Sequence, residues 1–176
     1  MKEFSLKYTD ERDKTYGIAG MAITLAVCDG LHMLREVDCD DEPGNNMHMV
    51  SAIELCGNPR MSAKSVWSQT IKDLRAITSM VLGNIACRRR MLSNRGYEDF
   101  EEPAIKELVR EQAMQYCSLD SDESDVLYEN CHSYVRRIFS HGGMVPVIEQ
   151  FSQRLNDRRR MSAAEVLECL TALGVR

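Results

Sequence analysis

The sequence predicts an all-α fold, a bundle-like arrangement of six to seven helices around a buried N-terminal helix. Residues 17–28 form a run of twelve residues without a charged side chain, set inside a longer helical pattern. A helix that is apolar around most of its circumference is surrounded by other helices or by lipid. Twelve residues rise only about 18 Å, well short of the ~30 Å hydrocarbon core. We therefore expect this helix at the centre of a soluble bundle rather than in a membrane.

The first predicted helix begins near Asp10 or Asp13, whose carboxylates suit the positive end of a helix dipole. Its pattern extends to about residue 37. A polar loop over 38–46 follows, because Pro-Gly and paired asparagines favour turns. A short helix is predicted over 47–56. No segment alternates apolar and polar residues in the manner of a strand, so no sheet is expected.

The later helices are marked by their N-caps. Ser62, Asp120 and Ser162 each precede a helical pattern, and acids three residues after the last two complete capping boxes. Glycines or a Gly-Gly pair close most of these segments. The predicted helices cover 62–92, 103–117, 120–140, 145–156 and 162–173.

Small residues in the first helix predict a close helix–helix contact. Gly17, Gly20, Ala19, Ala22 and Ala26 would let a neighbouring backbone approach closely. Such a surface suits packing within the chain and also an oligomer interface.

A length of 176 residues suits a single domain, 1–176, in which the helices of 144–176 dock on their own chain or on a partner. Residues 1–15 contain no apolar stretch of the kind found in signal peptides. The seven cysteines are dispersed without a Cys-x-x-Cys pair, which is typical of reduced thiols in a cytoplasmic protein.

Charge is segregated along the chain, although the net charge is only −5. Residues 57–95 carry eight basic side chains and one acidic one, whereas 96–129 carry two basic and eleven acidic ones. The connection between the two predicted helices is short enough for an antiparallel pair. We expect these two blocks to pack side by side.

A basic stripe is the main candidate for a binding surface. At 100° per residue, five cations of the helix over 62–92 fall within a sector about 100° wide. They are Lys64, Lys72, Arg75, Arg89 and Arg90. The stripe either binds a partner, pairs internally with the acidic block, or is simply a solvated face. Arginine runs at 88–90 and 158–160 are expected mainly to offset the negative ends of helix dipoles.

The leading functional hypothesis is a non-catalytic module that binds a protein partner, or a second copy of itself, through this stripe. No nucleophile elbow, phosphate-binding glycine loop or dinucleotide fingerprint is present, so neither an enzyme nor a cofactor is the leading expectation. A weak nucleic-acid binder remains an alternative, since aligned cations can follow phosphates. The negative net charge and the lack of aromatic side chains along the stripe favour internal pairing or a solvated face over phosphate binding. If the stripe does bind a partner, an acidic protein surface is expected rather than nucleic acid.

A metal-binding bundle is the other alternative. Asp29 with His32, and Glu129 with His132, each place a carboxylate and an imidazole three residues apart, on one face of a predicted helix. Di-iron carboxylate bundles use two such Glu-x-x-His pairs and two further glutamates. Glu54 and Glu111 would be those further ligands. Against this, ordinary polar surface positions give the same spacing.

Overall fold

The structure, a computed structural model, describes residues 7–50, 62–92 and 101–175. Most of these residues are helical, so the predicted helical fold is confirmed in its main part. The helices are α1 (Glu11–Val27), α2 (Ala63–Met91), α3 (Glu101–Cys117), α4 (Ser121–Ser140), α5 (Met144–Arg158) and α6 (Ala163–Ala172). Three short strands accompany them: β1 (Leu34–Asp38), β2 (Met47–Met49) and β3 (Arg160–Ser162).

The small antiparallel sheet corrects the all-α prediction. Its strand order is β2-β1-β3, and Val37 of β1 lies opposite Met47 on one side and Met161 on the other. The pairing of β1 with β3 joins segments more than a hundred residues apart in the chain. β2 and β3 have three residues each, which is too few to show an alternating apolar and polar pattern. These strands form because tertiary packing brings them alongside β1.

The first helix ends about ten residues earlier than predicted. α1 stops at Val27, and Asp29 then adopts a left-handed backbone conformation with φ of 54°. A single 3-10 turn, Leu31–Met33, leads into β1. The predicted helix over 47–56 is also wrong at its start, which forms β2, and residues 51–56 lie outside the described ranges.

The prediction of a buried N-terminal helix is confirmed. Asp10 caps α1, and the helix is buried from Thr15 to Leu25. It crosses α2 where Gly20 faces Gly83. A Cβ on Gly20 would overlap the carbonyl oxygen of Gly83 and the Cβ of Cys87. The small residues of α1 therefore serve a close contact within this chain.

α2 and α3 are antiparallel neighbours, as the charge pattern predicted. Near their connection, Arg89 forms an ion pair with Glu102. At the opposite end, the indole Nε1 of Trp67 donates a hydrogen bond to the carbonyl oxygen of Cys117 at 3.0 Å. The basic and acidic blocks thus lie side by side.

α4 packs against both of these helices. Arg110 of α3 binds Asp125 of α4 through two N–H···O bonds of 2.8 Å each. The Cys131 thiol of α4 lies 3.7 Å from the carbonyl oxygen of Arg75 in α2. α4 therefore runs parallel to α2 and antiparallel to α3.

The C-terminal helices dock on their own chain. Phe151 and Leu155 of α5, with Val166 and Leu170 of α6, are fully buried. Thr15 of α1 also donates a hydrogen bond to an Asn156 side-chain oxygen at 2.8 Å.

Both predicted capping boxes, at the starts of α4 and α6, are present. In the described ranges, every helix is too short or too polar to cross a bilayer.

Candidate functional site

The structure divides the predicted basic stripe into two parts. Lys64, Lys72, Arg75 and Arg90 are exposed and make no ion pair within the described part of the chain. Arg89 is partly buried and pairs with Glu102 of α3. Arg89 therefore joins two helices of the fold, whereas the other four cations face solvent.

The N-terminal end of α2 also exposes large apolar side chains. Val66 is 47% exposed and Trp67 is 50% exposed. Trp67 is held by its hydrogen bond to the end of α3, where Met114 and Tyr116 are exposed as well. Half-exposed aromatic side chains that are already ordered are typical of binding surfaces.

A groove of about 330 Å³ lies between α2 and the start of α4. Its apolar lining consists of Ile71, Leu119, Val126 and Leu127, and its charged lining consists of Arg75, Asp122 and Glu123. Val126 is 61% exposed. Glu123 accepts a hydrogen bond from the Asp120 backbone N–H at 3.0 Å as part of the helix cap. Arg75 and Asp122 line the same groove without pairing with each other.

A larger cleft of about 670 Å³ lies on the other side of Arg75. His32, Lys72 and Asp73 line it, and two thiols, Cys28 and Cys131, lie in its wall. Burial raises the pKa of both thiols, which keeps them protonated near neutral pH. A nucleophilic cysteine requires the thiolate, so this cleft lacks an activated thiol.

The first predicted metal pair does not share a helix face. Asp29 lies beyond the end of α1, and His32 lies in the 3-10 turn. The His32 ring is 3.0 Å from the Asp29 carbonyl oxygen through Nδ1 and 3.5 Å from the Asp73 carboxylate through Nε2. The contact between Asp29 and His32 thus involves the backbone of Asp29, not its carboxylate.

The second pair, Glu129 and His132, lies on α4 as predicted. Glu129 is 3.4 Å from Lys106, and His132 is 3.9 Å from Glu102. His132 lines a third cleft, separate from the one lined by His32.

The two pairs are therefore not brought together. Of the further ligands, Glu111 is exposed on α3, and Glu54 lies outside the described residues. Within the described ranges, no three His, Cys, Asp or Glu side chains form a group that could hold a metal ion. The metal hypothesis still depends on the sequence pattern alone.

The most important residue whose role the sequence reasoning missed is Arg88. It lies in the last turn of α2, as its arginine run predicted, but it is 2% exposed and paired with Asp13, which is fully buried. Its Nε and Nη2 donate to the two carboxylate oxygens of Asp13 at 2.6 and 3.0 Å. It also donates to the carbonyl oxygen of Lys7 at 2.8 Å and to Asn84 at 3.2 Å. This network joins α1, α2 and the segment preceding α1.

A signal for this buried arginine was present in the sequence. At 100° per residue, Arg88 falls on the side of α2 that carries Val81 and Ile85, away from the basic stripe. A cation on an apolar helix face is buried with a partner or extends to solvent. The pattern did not identify Asp13 as that partner.

Comparison with known proteins found no matching family model, no similar curated protein and no matching solved structure.

Proposed function

We propose that this protein is a non-catalytic interaction module that binds a protein surface through the N-terminal end of α2 and the adjoining groove. We refer to this region as the α2–α4 surface, defined by Lys64, Trp67, Ile71, Arg75 and Val126. The observation that carries the proposal is the combination, on the same surface, of exposed apolar side chains and exposed cations that make no ion pair with any described residue.

The chemistry of this surface suits protein recognition. Tryptophan and arginine are enriched among the residues that dominate binding energy at interfaces. Trp67 is oriented by its hydrogen bond to Cys117, so little side-chain entropy remains to be lost on binding. The guanidinium of Arg75 can bind a carboxylate through two parallel hydrogen bonds.

A protein partner is favoured over nucleic acid. Asp122 and Glu123 line the same groove as Arg75 and would repel a phosphate backbone that entered it. A protein surface can present a mixture of charges and apolar side chains that fits such a groove.

A photo-crosslinking experiment tests the proposal. A photoreactive amino acid replaces Val126, and the protein is irradiated in an extract of its source cells. We expect a defined adduct, identified by mass spectrometry. The same amino acid at Leu167 is the matched control, because Leu167 is 50% exposed but lies on α6.

Charge-reversal variants show whether the adduct depends on the surface. Arg75→Glu in the Val126 probe background should reduce the yield strongly. Arg136→Glu, which makes the same charge change at an exposed position in another cleft, should leave it unchanged. Equal adducts from the two probe positions, or equal effects of the two reversals, would contradict the proposal.

A further inference from the structure

We propose that the partner of the α2–α4 surface is a second copy of this chain, related to the first by a two-fold axis. This inference rests on the proposed function and specifies its partner. It follows from the charges of Arg75 and Asp122, which line the groove and make no ion pair among the described residues.

The groove carries both signs of charge on different helices. Arg75 contributes a cation from α2, and Asp122 contributes a carboxylate from the first turn of α4. Neither makes an ion pair within the described part of the chain. Lys64 extends the basic side along α2, and Asp120 extends the acidic side at the start of α4.

A two-fold axis requires a surface that complements itself. In such an interface, if residue i of one copy contacts residue j of the other, then j of the first also contacts i of the second. When the axis runs along the groove, parallel to the two helices, α2 of each copy lies against α4 of the other. Arg75 of one copy then meets Asp122 of the other, and this pair is formed twice.

The apolar side chains provide the centre of this interface. Val126 and Ile71 line the groove, and Trp67 lies one helical turn before Ile71 on α2. Pairing two such surfaces removes apolar area from water on both copies. A uniformly acidic partner would meet Arg75 favourably but would also meet Asp122 and Glu123, which disfavour it.

Sedimentation equilibrium of the full chain over a wide concentration range tests the inference. We expect a monomer–dimer equilibrium in the wild type. Arg75→Glu and Asp122→Lys should each raise the dimer Kd by at least about tenfold, because each substitution places like charges together at two contacts. Arg136→Glu is the matched control and should leave the Kd unchanged. Thermal melting of each variant verifies that it is folded.

The sharpest test is complementation. An equimolar mixture of the Arg75→Glu chain and the Asp122→Lys chain forms opposite-charge pairs at both contacts of a heterodimer. The double variant forms them in a homodimer. Both should recover dimerisation to near the wild-type Kd, which a general loss of folding or solubility cannot produce.

Three outcomes would overturn the inference. The first is a wild type that is monomeric at every concentration. The second is a dimer whose Kd does not change with Arg75→Glu, and the third is a pair of single variants that fail to dimerise when mixed. If the wild type is monomeric but the Val126 probe captures a different protein in an Arg75-dependent manner, the second copy is excluded while the proposed function stands. Absence of both dimer and adduct removes both proposals.

Discussion

The two halves of α2 have the same amphipathic pattern but different surroundings. In the second half, Gly83, Asn84 and Arg88 are buried against α1 and the segment before it. In the first half, Val66 and Trp67 remain about half exposed. An apolar helix face is therefore not necessarily a buried face. Burial depends on where the neighbouring elements lie, and this helix extends past them.

The largest expected effect is at the buried end of α2. Asp13→Ala leaves the Arg88 guanidinium buried without its carboxylate, and should lower the free energy of unfolding by about 3–5 kcal/mol. Urea denaturation measures the change. If the buried part of α2 contributes more to stability than its exposed N-terminal end, this variant should be less stable than Gly20→Ala. It should also be less stable than any single substitution in the basic stripe.

Arg89→Ala is the control for that prediction, because it removes the next cation along α2. Its ion pair with Glu102 is partly exposed and is worth about 1 kcal/mol or less. A loss of less than about 1 kcal/mol for Asp13→Ala would show that the buried pair is dispensable.

The helix crossing gives the next largest effect. Gly20→Ala places a methyl group against the backbone of Gly83, and should lower the free energy of unfolding by about 2–3 kcal/mol because the helices must separate. Alanine in a helix is otherwise better than glycine by about 1 kcal/mol, so only the contact explains a loss. Thermal or urea unfolding shows whether the substitution lowers or raises the free energy of unfolding.

Gly142→Ala is the matched control, since a Cβ there has no neighbour within 4 Å in the part of the chain that the structure describes. It should change stability by no more than about 0.5 kcal/mol. Equal behaviour of the two variants would contradict the close approach of α1 and α2.

The smallest effects separate the two parts of the basic stripe. Arg75→Glu should leave the free energy of unfolding within about 0.5 kcal/mol of the wild type, because Arg75 is exposed and makes no ion pair within the described ranges. Arg89→Glu should lower it by about 1 kcal/mol, because two carboxylates then face each other. Thermal unfolding at a protein concentration below the dimer Kd provides the measurement, because loss of a dimer would otherwise also lower the melting temperature. A sharp fall in the melting temperature of Arg75→Glu would mean that this part of the stripe is also internal.

Part of the candidate site could be predicted from the sequence. The angular pattern identified Lys64, Lys72 and Arg75 as cations on one exposed face, and the structure places them so. It could not separate Arg89 from them, because Glu102 becomes its neighbour only when α3 folds back. The groove with Asp122 and Val126 was also missed, since two different helices form it.

The sequence by itself determined the local features of this protein. The buried α1 follows from its uncharged run, and the caps at Ser62, Asp120 and Ser162 follow from side chains that bond the first turn of their own helices. These interactions join residues only a few positions apart, so they are visible in a short window of sequence.

Only the tertiary structure decided the sheet, the Asp13–Arg88 pair and the division of α2 into an exposed N-terminal end and a buried remainder. β1 and β3 meet across more than a hundred residues, and Asp13 and Arg88 across 75. A short strand could pair with many other segments, and a cation on an apolar helix face could pair with many different carboxylates. The choice among them depends on which segments the packing of the whole chain brings together, because non-local contacts have no local signature.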